Sequence, residues 1–410
     1  MNITTYFGNS PKFLIDVKYD LAQKILLGAA AMCLFLNSRI RIEGLIIVLI
    51  AAIGFYVGRG FVVTVLTGGS GTFVVGGDHS PLGDRNYFAM VIWMIIPMLM
   101  WLSSYTIIFP KNKIFQLTLI AFALTSAITI VGTQSRGALV AAPVFFAFFF
   151  LQSRQKISFI IFGLMAALIV LFIAPQDWWD RMDTIVNYED DGSALARLST
   201  WEFAWNYTVN HPIFGGGFGI FSLNFNAEKG RWLTAHSIYF EVLAEHGFVG
   251  FFLFFSMMFG LVYSGFKIRR RCRPYPELAW AGDLGVKLSV SILLYLTAGA
   301  FLSVAFHPIA YDLAILAIAV IHVVNREIAQ RENAVRGRYP NRRLSRELPS
   351  KNVDQPEGAA TSALAPNADE STKKGPLSWR DRRLAATAEA EANAQLARDG
   401  GPMQPRMPRR

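Results

Sequence analysis

Long apolar blocks alternate with short polar connections along most of the chain. A block of about 18 or more apolar residues is long enough to cross a bilayer as a helix. By that measure the pattern predicts nine spans, at roughly 20–37, 43–66, 87–109, 113–131, 137–151, 157–174, 237–263, 286–306 and 309–324, the fifth and ninth being short. Backbone polar groups in lipid must be satisfied within their own segment, which favours helices over strands here. The expected fold is all-α: a polytopic transmembrane helix bundle with a large, partly helical outer loop and a disordered inner tail. Three regions follow: an N-terminal segment 1–19, a transmembrane domain 20–324 that includes the loop 175–236, and a basic tail 325–410 poor in large apolar residues.

The loop has a pattern of its own. In "STWEFAWNYTV", Trp201, Ala204, Trp205 and Thr208 recur at helical spacing behind a capping Ser199 or Thr200. This predicts an amphipathic helix that starts around Arg197 and is broken at "NHP" by Pro212. "FGGGFG" (214–219) then predicts a turn. It has the look of a phosphate-cradling loop, but it follows a helix rather than a strand, and a tight turn packed with Phe is the better reading. The loop is too aromatic for a linker and is expected to fold back onto the outer face of the bundle.

Composition supports the membrane reading: 53% of residues are hydrophobic, and the mean hydropathy is +0.36. A net charge of +10 raises the question of nucleic acid. The placement of the cations answers it, because they sit where membrane topology requires them. Arg39 and Arg41, Lys111 and Lys113, Arg154 and Lys156, and the run "KIRRRCR" (267–273) occupy alternate connections. The tail from 325 to 410 holds 17 Lys/Arg against 11 Asp/Glu, whereas 175–236 holds 4 against 8. The first set is therefore expected on the cytoplasmic side and the second outside. Nine spans then put the N-terminus outside, although "MNITTYFGNSPKFLIDVKYD" carries no export signal. Either it is an outer tail, or the chain lacks the first few helices of a longer protein. The two cysteines, Cys33 and Cys272, imply no disulfide framework, and neither CxxC nor HExxH occurs. No metal and no cofactor are expected.

The notable polar residues gather at one face. "GDRNYF" (83–88) supplies Asp84 and Arg85 at the start of span three, and "TQSRGA" (133–138) supplies Arg136 beyond span four. Arg197 begins the loop helix, His236 begins span seven, and His307 marks the corner between spans eight and nine. An arginine at a membrane boundary is ordinarily a snorkelling anchor, less so on the outer side. Glu241 and Glu245 share a helix face inside an apolar run, where ionisable groups are costly and usually line a cavity or meet a partner. Guanidinium groups bind phosphate bidentately, and histidine suits general-base work near neutral pH. Two arginines and a histidine at an outer membrane face therefore suit a lipid-diphosphate donor and a hydroxyl acceptor.

"TQSRGALVAA", "ARLSTWEFAW" with "NHPIFGGGFGIF", and "AHSIYFEVLAEHGFVGFF" together resemble the O-antigen ligase and polymerase family of the bacterial inner membrane, over roughly residues 40–325. The stretch "IGFYVGRGFVVTVLTGGSGTFVVGGDHSPLGDRNYFAM" resembles a narrower group, the O-glycosylation ligases associated with exosortase A systems. The resemblance implies metal-independent glycosyl transfer from an undecaprenyl-diphosphate glycan at the periplasmic face. His236 would be the general base, and Arg136 and Arg197 would bind the diphosphate. Asp84, Arg85, Glu241, Glu245 and His307 are accessory candidates. The acceptor would be a protein, lipid A core or a growing glycan. Other partners would be membrane lipids and no nucleic acid. A repeat polymerase is the nearest alternative. A transporter or flippase is the other, which the lack of a visible internal repeat and the mostly uncharged mid-span positions disfavour.

Overall fold

A computed structural model describes residues 12–67, 74, 76, 82–109, 112–152, 192–230 and 232–338, with isolated positions between 156 and 179. The regular elements among them are all helical: α1 Lys12–Phe35, α2 Arg39–Thr67, α3 Arg85–Tyr105, α4 Lys113–Gly132, α5 Arg136–Gln152, α6 Gly192–Asn210, α7 Ile220–Lys229, α8 Ile238–Cys272, α9 Ala279–Gly299 and α10 Pro308–Arg338. A short 3₁₀ turn, Pro276–Leu278, leads into α9. Among the described residues, six helices are long and apolar enough to cross a membrane: α2, α3, α4, α8, α9 with its preceding turn, and α10. The protein is an integral membrane protein.

The expected spans and these helices differ in instructive ways. The first covers α1, which reaches back to Lys12; Lys18, Asp20 and Lys24 in its first half keep it out of the six. The fifth is α5, apolar but only 17 residues long. The span expected at 157–174, the segment 1–11 and the tail beyond 338 lie outside the described residues. The third ends at Tyr105 rather than 109, where Glu43 accepts from the backbone N–H groups of Ile107 and Ile108 at 2.9 and 3.1 Å and turns the chain. The eighth was expected at 286–306, but α9 runs Ala279–Gly299. Asp283 and Lys287 lower the hydropathy of its first turns, while the apolar residues after Gly299 leave the helix. Tyr295 holds them folded back by donating from its hydroxyl to the Val304 carbonyl at 2.8 Å.

Two helices form the centre. In both α3 and α9, 78% of the span is buried inside the protein, against 22% in α4. The central pair is fastened through polar groups that would be costly in lipid if unpaired: Ser291 Oγ donates to Met94 O at 2.6 Å, and Trp101 Nε1 to Trp280 O at 2.8 Å. α8 crosses α9 where Gly265 faces Gly285; a Cβ on Gly265 would come within 2.2 Å of the Gly285 carbonyl oxygen. Glycine is needed for that approach. Around this core, Phe55, Ile114, Leu253 and their like point outward, 68–77% exposed, as an apolar surface facing lipid should.

The bundle has two chemically different ends. At one, Arg269 donates to Gln152, Arg271 to Asn325 and Arg326 to the Asn37 carbonyl, so the α1–α2, α5, α8–α9 and α10 ends lie together. Arg39 adds its guanidinium over the Trp280 ring at 4.9 Å. At the other end, the α2–α3, α4–α5, α7–α8 and α9–α10 connections meet around the residues described next.

Candidate functional site

Four segments bring the site together, each with its own local reason. Asp84 caps α3, its carboxylate accepting from the Asn86 and Tyr87 N–H groups at 2.8 and 3.1 Å. Arg85 is thereby the first residue of α3. The α4–α5 turn places Gln134 at φ 51°, after which Ser135 and Arg136 open α5. Ser135 Oγ donates to Asn86 Oδ1 at 2.7 Å, so the "DRN" and "SRG" stretches are joined directly. His236 stands at φ 47°, one residue before Ser237 caps α8. Gln134 and His236 are the only described residues other than glycine with positive φ. Strained backbone of this kind collects at functional sites.

The fourth segment is α6. It runs Gly192–Asn210, so Arg197 lies in its second turn rather than at its start. Ser199 and Thr200 do not cap it. Their hydroxyls donate back to the Ala196 and Arg197 carbonyls at 2.8 Å, as mid-helix Ser and Thr do. The buried stripe is Thr200, Phe203, Ala204 and Thr208, whereas Trp205 is 48% exposed. The helix ends before Pro212, as its sequence requires. Trp201 locks α6 to the start of α8: its Nε1 donates to the Ala235 carbonyl at 3.0 Å, and its ring stacks on Phe240 at 5.4 Å.

These contacts leave a cavity of about 430 Å³ lined by Ala194, Arg197, Leu198, Trp201 and Phe301. Phe301 comes from the α9–α10 turn, and its ring lies 6.2 Å from Trp201. On its other side it abuts Gly137, where an added Cβ would sit 3.3 Å from Phe301 Cβ. Gly137, the residue after Arg136, therefore backs the Phe301 wall of the cavity, and Arg197 lines another. His236 adjoins the residue that Trp201 holds. It is half-buried, and burial first, then the Arg197 charge, lowers its pKa below the ordinary 6.5, with Asp84 opposing. Asp84, Arg197 and His236 thus share one electrostatic neighbourhood.

Residues 121–255 match the family described as O-Antigen ligase. That stretch takes in α5, α6, the glycine-rich turn, His236 and the first half of α8, which together supply most of the site. Residues 1–107 match a family of unknown function, and they contribute α1 to α3 with Asp84. No curated protein matches the chain. The match to the O-Antigen ligase family supports a membrane enzyme of the O-antigen ligase and polymerase type.

The remaining candidates lie apart from the cavity. His307, buried, packs edge-on to Tyr87 at 6.4 Å, and Tyr87 donates to the Ser303 carbonyl at 3.1 Å. Glu241 and Glu245 turn away to Lys18, at 3.3 and 2.7 Å. Among the described residues, no three His, Cys, Asp or Glu side chains gather as a metal site requires. Sequence reasoning missed Lys18, Trp201 and Phe301. Two carboxylates on one face of an apolar helix demanded a cation, and that demand was the available signal for Lys18. Trp201 was legible only as one residue of an amphipathic helix face, and Phe301 lies in an apolar stretch that carries no signal of its own.

Proposed function

We propose that the protein is a membrane glycosyltransferase that moves a glycan from an undecaprenyl-diphosphate carrier to an acceptor hydroxyl at the periplasmic face. We read it as an O-glycosylation ligase. The observation that supports this is the cavity lined by Arg197 and backed through Phe301 by Gly137, the residue after Arg136, beside an imidazole whose pKa is lowered by burial and then by the Arg197 charge. Two guanidinium groups suit a diphosphate, and they stabilise the charge that develops as it departs.

In this reading the acceptor oxygen attacks the anomeric carbon of the donor sugar. The bond from that carbon to the diphosphate oxygen breaks, and its electron pair leaves with undecaprenyl diphosphate. His236 takes the proton of the acceptor hydroxyl, a role that needs its neutral form. Arg136 and Arg197 hold the diphosphate, and the α5 N-terminus beside Arg136 adds the positive end of a helix dipole. Phe301 and Trp201 exclude water from the reacting carbon, so that sugar is transferred rather than hydrolysed.

Reconstituting the purified protein with a lipid-diphosphate glycan and a panel of acceptors tests the reading. A ligase transfers only when a protein or lipid acceptor is added. Chain growth from the donor alone identifies a polymerase of the same chemistry. Absence of transfer under every condition overturns the glycosyl-transfer reading.

A further inference from the structure

Two buried carboxylates and a partly exposed lysine form a network that the transfer chemistry leaves unused. Lys18 Nζ, from the first half of α1, lies 2.7 Å from Glu245 Oε1 and 3.3 Å from Glu241 Oε1. Glu245 is fully buried, and Glu241 is 6% exposed. Spaced four residues apart on α8, the two carboxylates share a face, and the Lys18 ammonium is their counter-charge. Each also accepts a backbone N–H from a different segment. Glu245 Oε1 takes Gly219 N at 2.9 Å, and Glu241 Oε2 takes Ala305 N at 3.2 Å.

Those two segments flank the site. Gly219 closes the glycine-rich turn that packs on the broken part of α8 at Ala244–Gly247, about two to three helical turns beyond His236. Ala305 belongs to the α9–α10 turn that carries Phe301, which lines the cavity with Arg197 and abuts Gly137. One ammonium group therefore sets two carboxylates, and through them two backbone loops.

We propose that Lys18 is a positioning residue for the site, acting through Glu241 and Glu245 to hold the glycine-rich turn and the Phe301 turn in place. It does not touch the cavity and takes no part in the bond changes. Its kinetic consequence rests on the glycosyl-transfer reading; its structural consequence does not.

The full-length protein in lipid nanodiscs tests this by hydrogen exchange over peptides 213–221 and 300–307. In Lys18→Met, exchange at the Gly219 and Ala305 amides should rise about tenfold or more, because each loses its ordered acceptor. Lys18→Arg, which keeps the charge, should retain wild-type protection. Lys18→Met combined with Glu245→Gln should lie closer to wild type than Lys18→Met alone, since the cluster then regains its wild-type net charge and the amide oxygen of the introduced glutamine can still accept from Gly219. In the transfer assay, Lys18→Met should lower kcat roughly ten- to a hundredfold while KM for the donor stays within about twofold.

Wild-type exchange at both amides in Lys18→Met overturns the proposal, as does a double variant no better than the single one. If Lys18→Met does not accumulate, the charge-balanced double variant must accumulate and protect both amides, and its failure to do so also overturns it. A wild-type protein that transfers nothing overturns the functional reading instead, and the exchange experiment still decides the role of Lys18.

Discussion

His236 combines three properties rarely found on one side chain: a left-handed backbone, partial burial and a cation-lowered pKa. A general base works only while neutral, so its rate contribution is lost as pH falls through its pKa. Because that pKa is depressed, the acidic limb of kcat/KM should lie below 6.5 in the wild type. Removing the Arg197 charge, the second cause after burial, should move the limb upward in Arg197→Gln, though not the whole way. Removing Asp84, which opposes, should move it downward in Asp84→Asn. A pH–rate profile of the residual activity checks both signs, and an unmoved limb in both variants removes His236 as the titrating group. His236→Ala should lower transfer by about 10²- to 10⁴-fold at wild-type abundance. Residues of this kind were legible in the sequence because an ionisable group at the edge of an apolar block stands out. Their apolar neighbours Trp201 and Phe301 could be found only once α6 and the α9–α10 turn had been folded against each other.

At the scale of elements, the decisive feature is the break in α8. Gly247 has φ 63° and ψ −170°, a region that essentially only glycine occupies. The carbonyls freed by the break are taken by the glycine-rich turn: Gly216 N donates to Ala244 O at 3.0 Å, and Gly217 N to Glu245 O at 2.8 Å. Phe248 N in turn donates to Pro212 O at 2.8 Å. The two backbones cross so closely that a Cβ on Gly247 would sit 2.5 Å from the Ile213 carbonyl oxygen. Gly247→Ala should therefore destabilise the protein by about 1–3 kcal/mol from backbone strain, with more from the clash. Thermal unfolding in detergent measures it, and an unchanged melting temperature would mean that the break is not obligatory. Apolar blocks located the helices because burial in lipid or core and hydropathy agree over most of each span. They disagreed at α9, whose early turns carry Asp283 and Lys287, and they could not reveal a break whose cause is a backbone contact from a distant loop.

For the whole molecule, charge and site occupy opposite ends of the bundle. Arg269, Arg271 and Arg326 join the helix ends at one, and Asn86, Ser135, Trp201 and Phe301 join those at the other. The alternation of basic connections pointed to two chemically different ends, and by the positive-inside rule the arginine-rich end is expected on the cytoplasmic side. Replacing Arg269, Arg270 and Arg271 together by Ala should weaken that bias, and a reporter fused within 267–273 should then show a fraction of molecules inverted; a reporter wholly in its wild-type orientation would mean that other cations suffice. The central claim is that the cavity opens outside the cell membrane and receives the donor's diphosphate. It is tested most directly by a single cysteine, Ala194→Cys, in a Cys33→Ser/Cys272→Ser background, labelled in spheroplasts with a membrane-impermeant maleimide. Labelling from the outside that slows when a lipid-diphosphate glycan is supplied is the predicted result; labelling only from the cytosolic side, or at a rate the donor leaves unchanged, would contradict it.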